Sequence, residues 1–205
     1  MPILCLEGPS AVGKSSTARY LAEHHAAIHI PEVNLLFQRP ENASPYWYFE
    51  RQVERVQIAR SHPPGNLVIL DGDPFQPIWY DPLFPAFNSL SYQSVLDFYR
   101  SLLVRNELAW PHLYVILSAP PAELRKRKEA DLRFKRRNFD AHLALVDFLP
   151  EYFGRFARGL VCSHAAETVE GNAKTVLNAC ISIEKIGDPV AMFDEIATWM
   201  KLKCC

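Results

Sequence analysis

The sequence predicts an α/β protein, a three-layer sandwich in which a five-stranded, mainly parallel sheet lies between helices. Three observations predict it. Short apolar runs of strand length alternate with longer helical patterns down the whole chain, as they do in successive βαβ units. The first run, 2–7, passes directly into a glycine-bearing turn and then a helical stretch. Finally, 205 residues, 49% of them hydrophobic and 22% charged, suffice for one well-buried domain but hardly for two. A single domain spanning 1–205 is therefore expected.

The strands are expected at 2–7, which carries Ile3-Leu4-Cys5-Leu6-Glu7, at 27–31 (Ala27-Ile28-His29-Ile30-Pro31), at 66–70 (Asn66-Leu67-Val68-Ile69-Leu70), at 112–117 (His112-Leu113-Tyr114-Val115-Ile116-Leu117) and at 159–163. Helices are expected near 14–25, 46–62, 91–108, 121–130, 138–157, 171–185 and 189–202. The helix at 121–130 opens on Pro120-Pro121-Ala122-Glu123, a favourable proline start. The helix at 171–185 follows Thr168-Val169-Glu170-Gly171-Asn172, which reads as a cap. The stretch 71–90 fits neither pattern and carries Pro74, Pro77, Pro82 and Pro85. An irregular loop that long within a compact domain is usually functional or disordered. It is expected as a substrate loop, with 121–138 as a lid.

The turn after the first strand is Gly8-Pro9-Ser10-Ala11-Val12-Gly13-Lys14-Ser15-Ser16. This is G-x-x-x-x-G-K-S, placed after a strand and before a helix as its chemistry requires. Glycines at 8 and 13 let successive N–H groups converge on polyphosphate oxygens at a helix N-terminus. Gly8, Ser10, Ala11, Val12, Gly13, Lys14, Ser15 and Ser16 are thus the expected nucleotide-binding residues. Lys14 is expected to reach the β- and γ-phosphates and Ser15 to bind Mg²⁺, which makes ATP and Mg²⁺ the expected cofactors.

In an open parallel sheet the ligand lies beyond the carboxyl ends of the strands, where Pro31-Glu32-Val33-Asn34 and Leu70-Asp71-Gly72-Asp73-Pro74 follow strands two and three. Phosphoryl transfer needs a metal on the triphosphate, a group that takes the acceptor's proton, and cations over the transferred group. Asp71 is placed to hold Mg²⁺, although a turn cap before Gly72 would look the same. Glu32 is the expected base, although a solvated glutamate at a strand end is common. Asp73 is expected to share either role or to bind the acceptor. The basic run Arg125-Lys126-Arg127-Lys128, followed by Arg133 and Lys135-Arg136-Arg137, could be a solvated face. Its arginine density instead suggests a lid, with Arg127 and Arg133 catalytic and Arg137 on the nucleotide. Aromatic residues gather at Tyr46-Trp47-Tyr48-Phe49 and again between Phe75 and Tyr92, suited to stacking a flat acceptor. Trp47, Gln52, Phe75 and Trp79 join Glu32 and Asp73 as the expected acceptor site. The adenine is expected near 163–172, where nothing identifies a base-reading residue.

Taken together, these residues resemble the P-loop kinases of the nucleoside and nucleotide kinase superfamily, over the whole order of elements from Met1 to about Glu184. The resemblance implies a nucleotide-kinase-like P-loop NTPase fold and transfer of the γ-phosphoryl group of Mg-ATP. In deoxynucleoside kinases the carboxylate after strand two is the general base, matching Glu32. Their next helix holds the nucleoside base with aromatics and a glutamine, and Tyr46-Trp47-Tyr48-Phe49-Glu50-Arg51-Gln52 looks similar. One departure is clear: those kinases place an arginine directly after the strand-three acid, where this chain has Asp71-Gly72-Asp73. An acceptor that already carries a phosphate is disfavoured on that ground, with Arg39, Arg51 and Arg55 as possible substitutes. The chain also looks like chloramphenicol phosphotransferase and related small-molecule kinases. The acceptor is accordingly expected to be a nucleoside-like or antibiotic-like hydroxyl compound. The alternative is a regulatory nucleotide-binding NTPase with no small-molecule acceptor.

Composition narrows the partners. A formal net charge of -1 argues against nucleic acid and membrane surfaces, and no apolar stretch reaches the roughly 18 residues of a spanning helix. Cys5, Cys162, Cys180, Cys204 and Cys205 show no metal-ligand spacing, and Cys204-Cys205 lacks the prenylation pattern. With no signal peptide read at the N-terminus, a reducing, cytoplasmic setting is expected. The amphipathic stretch Ile196 to Leu202 is expected to pack on the body or on a second subunit, leaving a homodimer open.

Overall fold

The expected apolar runs pair into one all-parallel sheet in the order β2-β3-β1-β4-β5. A computed structural model describes residues 2–87, 90–131, 138–156, 161–182 and 187–204. In chain order the elements are β1 (Ile3–Glu7), α1 (Lys14–His25), β2 (Ile28–Ile30), α2 (Val33–Leu36), α3 (Trp47–Ser61), β3 (Val68–Asp71), α4 (Gln76–Leu83), a 3-10 turn (Pro85–Phe87), α5 (Tyr92–Val104), β4 (Leu113–Ser118), α6 (Pro121–Ala130), α7 (Phe139–His142), α8 (Leu145–Phe156), β5 (Val161–Ala165), α9 (Val169–Ala179), a second 3-10 turn (Cys180–Ser182) and α10 (Pro189–Cys204).

Every residue of β1 is buried, as expected of a parallel strand covered on both faces. Side chains alternate across a strand, so the sheet has two distinct faces. Ile3 and Cys5 of β1, Val68 and Leu70 of β3 and Tyr114 and Ile116 of β4 point to the face covered by α3, α4, α5, α8 and α10. Leu4 and Leu6, Ile69, and Leu113, Val115 and Leu117 point to the face covered by α1, α6 and α9. The first face is rich in aromatics and the second is almost wholly aliphatic. The chain runs from β1 into one half of the sheet and crosses after β3 to the other half, which opens a crevice at the carboxyl ends of the central strands.

The stretch 71–90 is not the irregular loop expected. Pro77 lies in the first turn of α4, where a missing N–H costs little; Pro82 lies inside the helix near its end and withholds the N–H that the Ile78 carbonyl would accept. Pro77, Ile78 and Trp79 are buried. Tyr92 Oη donates to the Ile78 carbonyl at 2.9 Å, and Tyr99 Oη to the Pro74 carbonyl at 3.1 Å. The one helix expected at 138–157 is two, α7 and α8, and α2 was not expected. The helix expected to reach 185 ends at Ala179 and gives way to the second 3-10 turn. The region expected as a lid is helical over α6, and residues 132–137 lie outside the described residues. Among the described residues no helix is long and apolar enough to cross a membrane.

Candidate active site

The loop between β1 and α1 is held from behind. A Cβ on Gly8 would lie 2.4 Å from the Leu117 carbonyl oxygen, so only glycine lets the loop pass this close to β4. Val12 is buried in the aliphatic face, and Ala11 takes a left-handed conformation, φ 69°. The loop leads into the N-terminus of α1, where unpaired N–H groups and the helix dipole favour an anion. Lys14 is folded back over the loop: its Nζ donates to the Gly8 carbonyl at 2.8 Å and lies 3.9 Å from Glu7 Oε1.

Strand alternation aims the carboxylates in different directions. Asp71 shares the parity of Ile69 and so faces α1, together with His29 of β2, which pairs with Ile69. Asp71 is fully buried, yet neither of its carboxylate oxygens accepts a hydrogen bond from the described residues. His29 Nε2 lies 3.5 Å from its Oδ2. Burial alone would push the Asp71 carboxyl up, but His29, Lys14 and the Ser15 hydroxyl beside it hold it below the usual carboxylate range. A buried, ionised carboxylate without a donor costs several kcal/mol unless a cation meets it. Two hard oxygens with the Ser15 hydroxyl alongside suit a hard divalent ion. Asp71 and Ser15 therefore fit Mg²⁺.

Glu7 has the parity of Ile3 and Cys5. Its carboxylate accepts from the backbone N–H of Gly8 at 2.7 Å and of Asp73 at 2.8 Å, tying the ends of β1 and β3 together. Burial pushes it up to about 7, against the opposing charge of Lys14. Asp73 is buried and saturated: it accepts from Phe75 N at 3.0 Å, Tyr114 Oη at 3.1 Å and Trp79 Nε1 at 2.9 Å. Burial raises it to about 6 despite those donors.

Between these strand ends lies Gly72, with φ 87°, a conformation that an arginine there would adopt only with strain. A Cβ on Gly72 would lie 3.7 Å from Glu32 Cγ and 4.0 Å from Glu7 Oε2, so two carboxylates flank it. Glu32 starts α2 and is exposed on the cleft wall. Opposite it, α3 supplies a buried guanidinium. Arg55, 1% exposed, donates from Nη2 to the Asp71 carbonyl at 2.6 Å and from Nη1 to Gln52 Oε1 at 2.5 Å. The resulting cleft encloses about 420 Å³.

The structure brings Gly8, Ser10, Ala11, Val12, Gly13, Lys14, Ser15, Ser16, Glu32, Gln52, Asp71 and Asp73 together on the wall of this one cleft. It does not bring Trp47, Phe75 or Trp79 there. Phe75 and Trp79 are fully buried and Trp47 is 7% exposed. Phase of the helix decides this: α4 turns Trp79 inward onto Phe148 and Tyr152, and Phe75 stacks on Trp110 at a centroid distance of 3.6 Å. Arg39 covers Trp47 from outside, its guanidinium 5.7 Å from the ring centroid. Arg127 does not line the cleft either. Its guanidinium donates to Glu123 Oε1 at 2.9 Å, to the Val12 carbonyl at 3.1 Å and to the Ala166 carbonyl at 3.2 Å, so it braces the back of the loop against the end of β5. Arg133 and Arg137 lie outside the described residues. In the stretch expected to meet adenine, Thr168 caps α9 by accepting from Gly171 N at 3.1 Å, and the buried Asn172 amide reaches Thr17.

Sequence reasoning missed Glu7, His29, Gln76 and His142 as cleft or cleft-edge residues, while Tyr48 and Tyr80, from the two expected aromatic groups, do line it. Tyr80 and His142 close one side through an Oη···Nε2 contact of 2.8 Å. A signal existed for Glu7, an acid ending a strand otherwise apolar on both faces. Arg55 was named only as a stand-in cation, although it lies three residues after Gln52 and so on the same helix face.

No protein-family model matches the chain, and no curated protein matches it. Solved structures do. It is similar to deoxyadenosine kinase from M. mycoides with bound dATP, at 14% identity and a TM-score of 0.61. The same enzyme with bound dCTP gives 17% and 0.57, and with the products dCMP and a flexible dCDP 13% and 0.55. In each case the match covers 88% of this chain and 100% of the other. At such identities the likeness is one of architecture, and with the all-parallel sheet it establishes that the chain has the P-loop nucleoside kinase fold.

Proposed function

We propose that this protein is an ATP-dependent kinase that transfers the γ-phosphoryl group to a hydroxyl of a small, nucleoside-like acceptor. One observation carries the proposal: the buried carboxylate of Asp71, with His29 and the Ser15 hydroxyl beside it, shares a single cleft with the phosphate loop and with Glu32. The fold neighbours with bound deoxynucleotides support a nucleoside-like acceptor over an antibiotic-like one.

In this reading the loop N–H groups and the α1 N-terminus hold the triphosphate. Lys14 leaves the Gly8 carbonyl and follows the charge onto the γ-phosphoryl oxygens. Mg²⁺ held by Ser15 and Asp71 would neutralise charge on the β- and γ-phosphates. Glu32, across Gly72, accepts the proton of the attacking hydroxyl. Glu7 locks β1 to β3 and positions Lys14. Arg127 fixes the loop from behind, and Arg133 and Arg137 remain the proposed lid cations.

The test is ADP formation from ATP, and from GTP, with a panel of deoxynucleosides and hydroxylated antibiotics, each with and without a chelator. Acceptor-dependent ADP that vanishes on chelation is expected. ADP released at the same rate with no acceptor would overturn the proposal in favour of a regulatory NTPase.

A further inference from the structure

The side chains opposite Glu32 form a hydrogen-bond chain with a fixed direction. Arg55 has only donors, so the Gln52 atom 2.5 Å from its Nη1 is the amide oxygen. Its other nitrogen, Nη2, is anchored to the Asp71 carbonyl, which fixes the guanidinium in place. Gln52 must then turn its NH₂ the other way, and Nε2 donates to Tyr48 Oη at 3.2 Å. A phenol has one proton, and that of Tyr48 goes to Gln76 Oε1 at 2.8 Å. Burial and then the charge of Glu32 push the Tyr48 phenol upward, so it stays a donor at any working pH. With its oxygen turned to Tyr48, Gln76 has its NH₂ left over for the cleft. No described residue accepts from that nitrogen, and Gln76 is half-buried on the cleft wall.

Gln52, by contrast, is 2% exposed with both ends of its amide engaged. It is unavailable to read an acceptor.

We propose that Gln76 is the specificity-determining residue of the acceptor site, and that Arg55, Gln52 and Tyr48 orient it so that it donates to an oxo group of the acceptor's ring. The inference rests on the kinase reading and deepens it: the acceptor is a hydroxylated compound with a lactam-type base, favoured over its amino counterpart. An exocyclic amine at that edge would set donor against donor and leave both without partners.

The probes are two matched pairs, deoxyuridine with deoxycytidine and deoxyinosine with deoxyadenosine, which differ in oxo against amino and, with it, in whether the adjacent ring nitrogen carries a proton. Wild type is expected to favour the oxo member by about tenfold or more in kcat/KM. Gln76→Glu replaces the donor with an acceptor and should invert the ratio. Tyr48→Phe frees the Gln76 amide to turn over and should bring the ratio toward one, with thermal midpoints measured to show that both variants are folded. A merely structural role for Tyr48 would lower both rates and leave the ratio alone. A wild-type preference for the amino members, or a ratio unmoved by both substitutions, overturns the inference. So does failure of all four nucleosides as substrates, and in that case Lys14-dependent transfer to another hydroxyl compound would leave the kinase reading standing.

Discussion

At the proposed donor end of the cleft the lining residues belong to one continuous segment, 8–16. At the proposed acceptor end they come from β1, α2, α3, β3 and α4 and the turns beside them, brought together only by the tertiary fold. The difference is one of assembly. A main-chain cradle needs glycine and a helix start at fixed spacing, whereas a side-chain wall can be built from any polar residue that packing leaves at the right depth. The donor end should therefore fail when one charge is removed, and the acceptor end should divide its residues into those that meet substrate and those that only hold the wall.

The largest effect is expected at the donor end. Lys14→Ala removes the only loop cation and should lower kcat by about 10²–10³-fold with an unchanged circular dichroism spectrum. A variant that keeps wild-type turnover would dissolve the comparison, because the cradle would no longer be the donor site.

Glu32→Gln comes next. It keeps the shape of the wall and removes only the proposed base, so kcat should fall by about 100-fold with little change in KM. An unaltered kcat would leave Glu32 with a binding role and transfer the proton to another carboxylate.

The same contrast governs what the sequence could tell. The five strands, their parallel arrangement and the loop were legible because each rests on a local pattern: apolar runs bounded by turns, and G-x-x-x-x-G-K-S between a strand and a helix. Asp71 was legible by position, at the end of such a run. The aromatics were not, because which face of α4 a residue occupies depends on where the helix begins. Prolines 77 and 82 had suggested that no helix was there. Arg55 and Gln76 were hidden for another reason. A buried guanidinium is rare, and nothing local says that the carbonyl of Asp71 will be there to receive it.

Trp79 sharpens the division within the acceptor end. Its indole N–H donates to Asp73 and its ring packs on Phe148 and Tyr152, so it holds the wall without facing the cleft. Trp79→Phe should reduce unfolding free energy by about 1–3 kcal/mol, the range for leaving a buried acceptor unpaired, with acceptor KM unchanged within about twofold. Stability loss without a KM change places Trp79 in the core. A raised KM at wild-type stability would return it to the acceptor wall.

The smallest effect separates the two glycines that the ends require. At Gly8 a Cβ would meet a backbone oxygen of β4 at 2.4 Å, and neither partner can move. At Gly72 the nearest atom to a Cβ would be Glu32 Cγ at 3.7 Å, an ordinary contact, so the only penalty is the positive φ of 87°. Gly72→Ala should therefore cost about 1–2 kcal/mol, a fall of about 2–8 °C in midpoint for a chain of this size. The folded variant should keep Glu32-dependent turnover, because the added methyl touches Glu32 without displacing it. If Gly72→Ala instead abolishes turnover at a near-normal midpoint, Glu32 is held to tighter tolerance than its exposure implies, and the acceptor end is as rigidly built as the donor end.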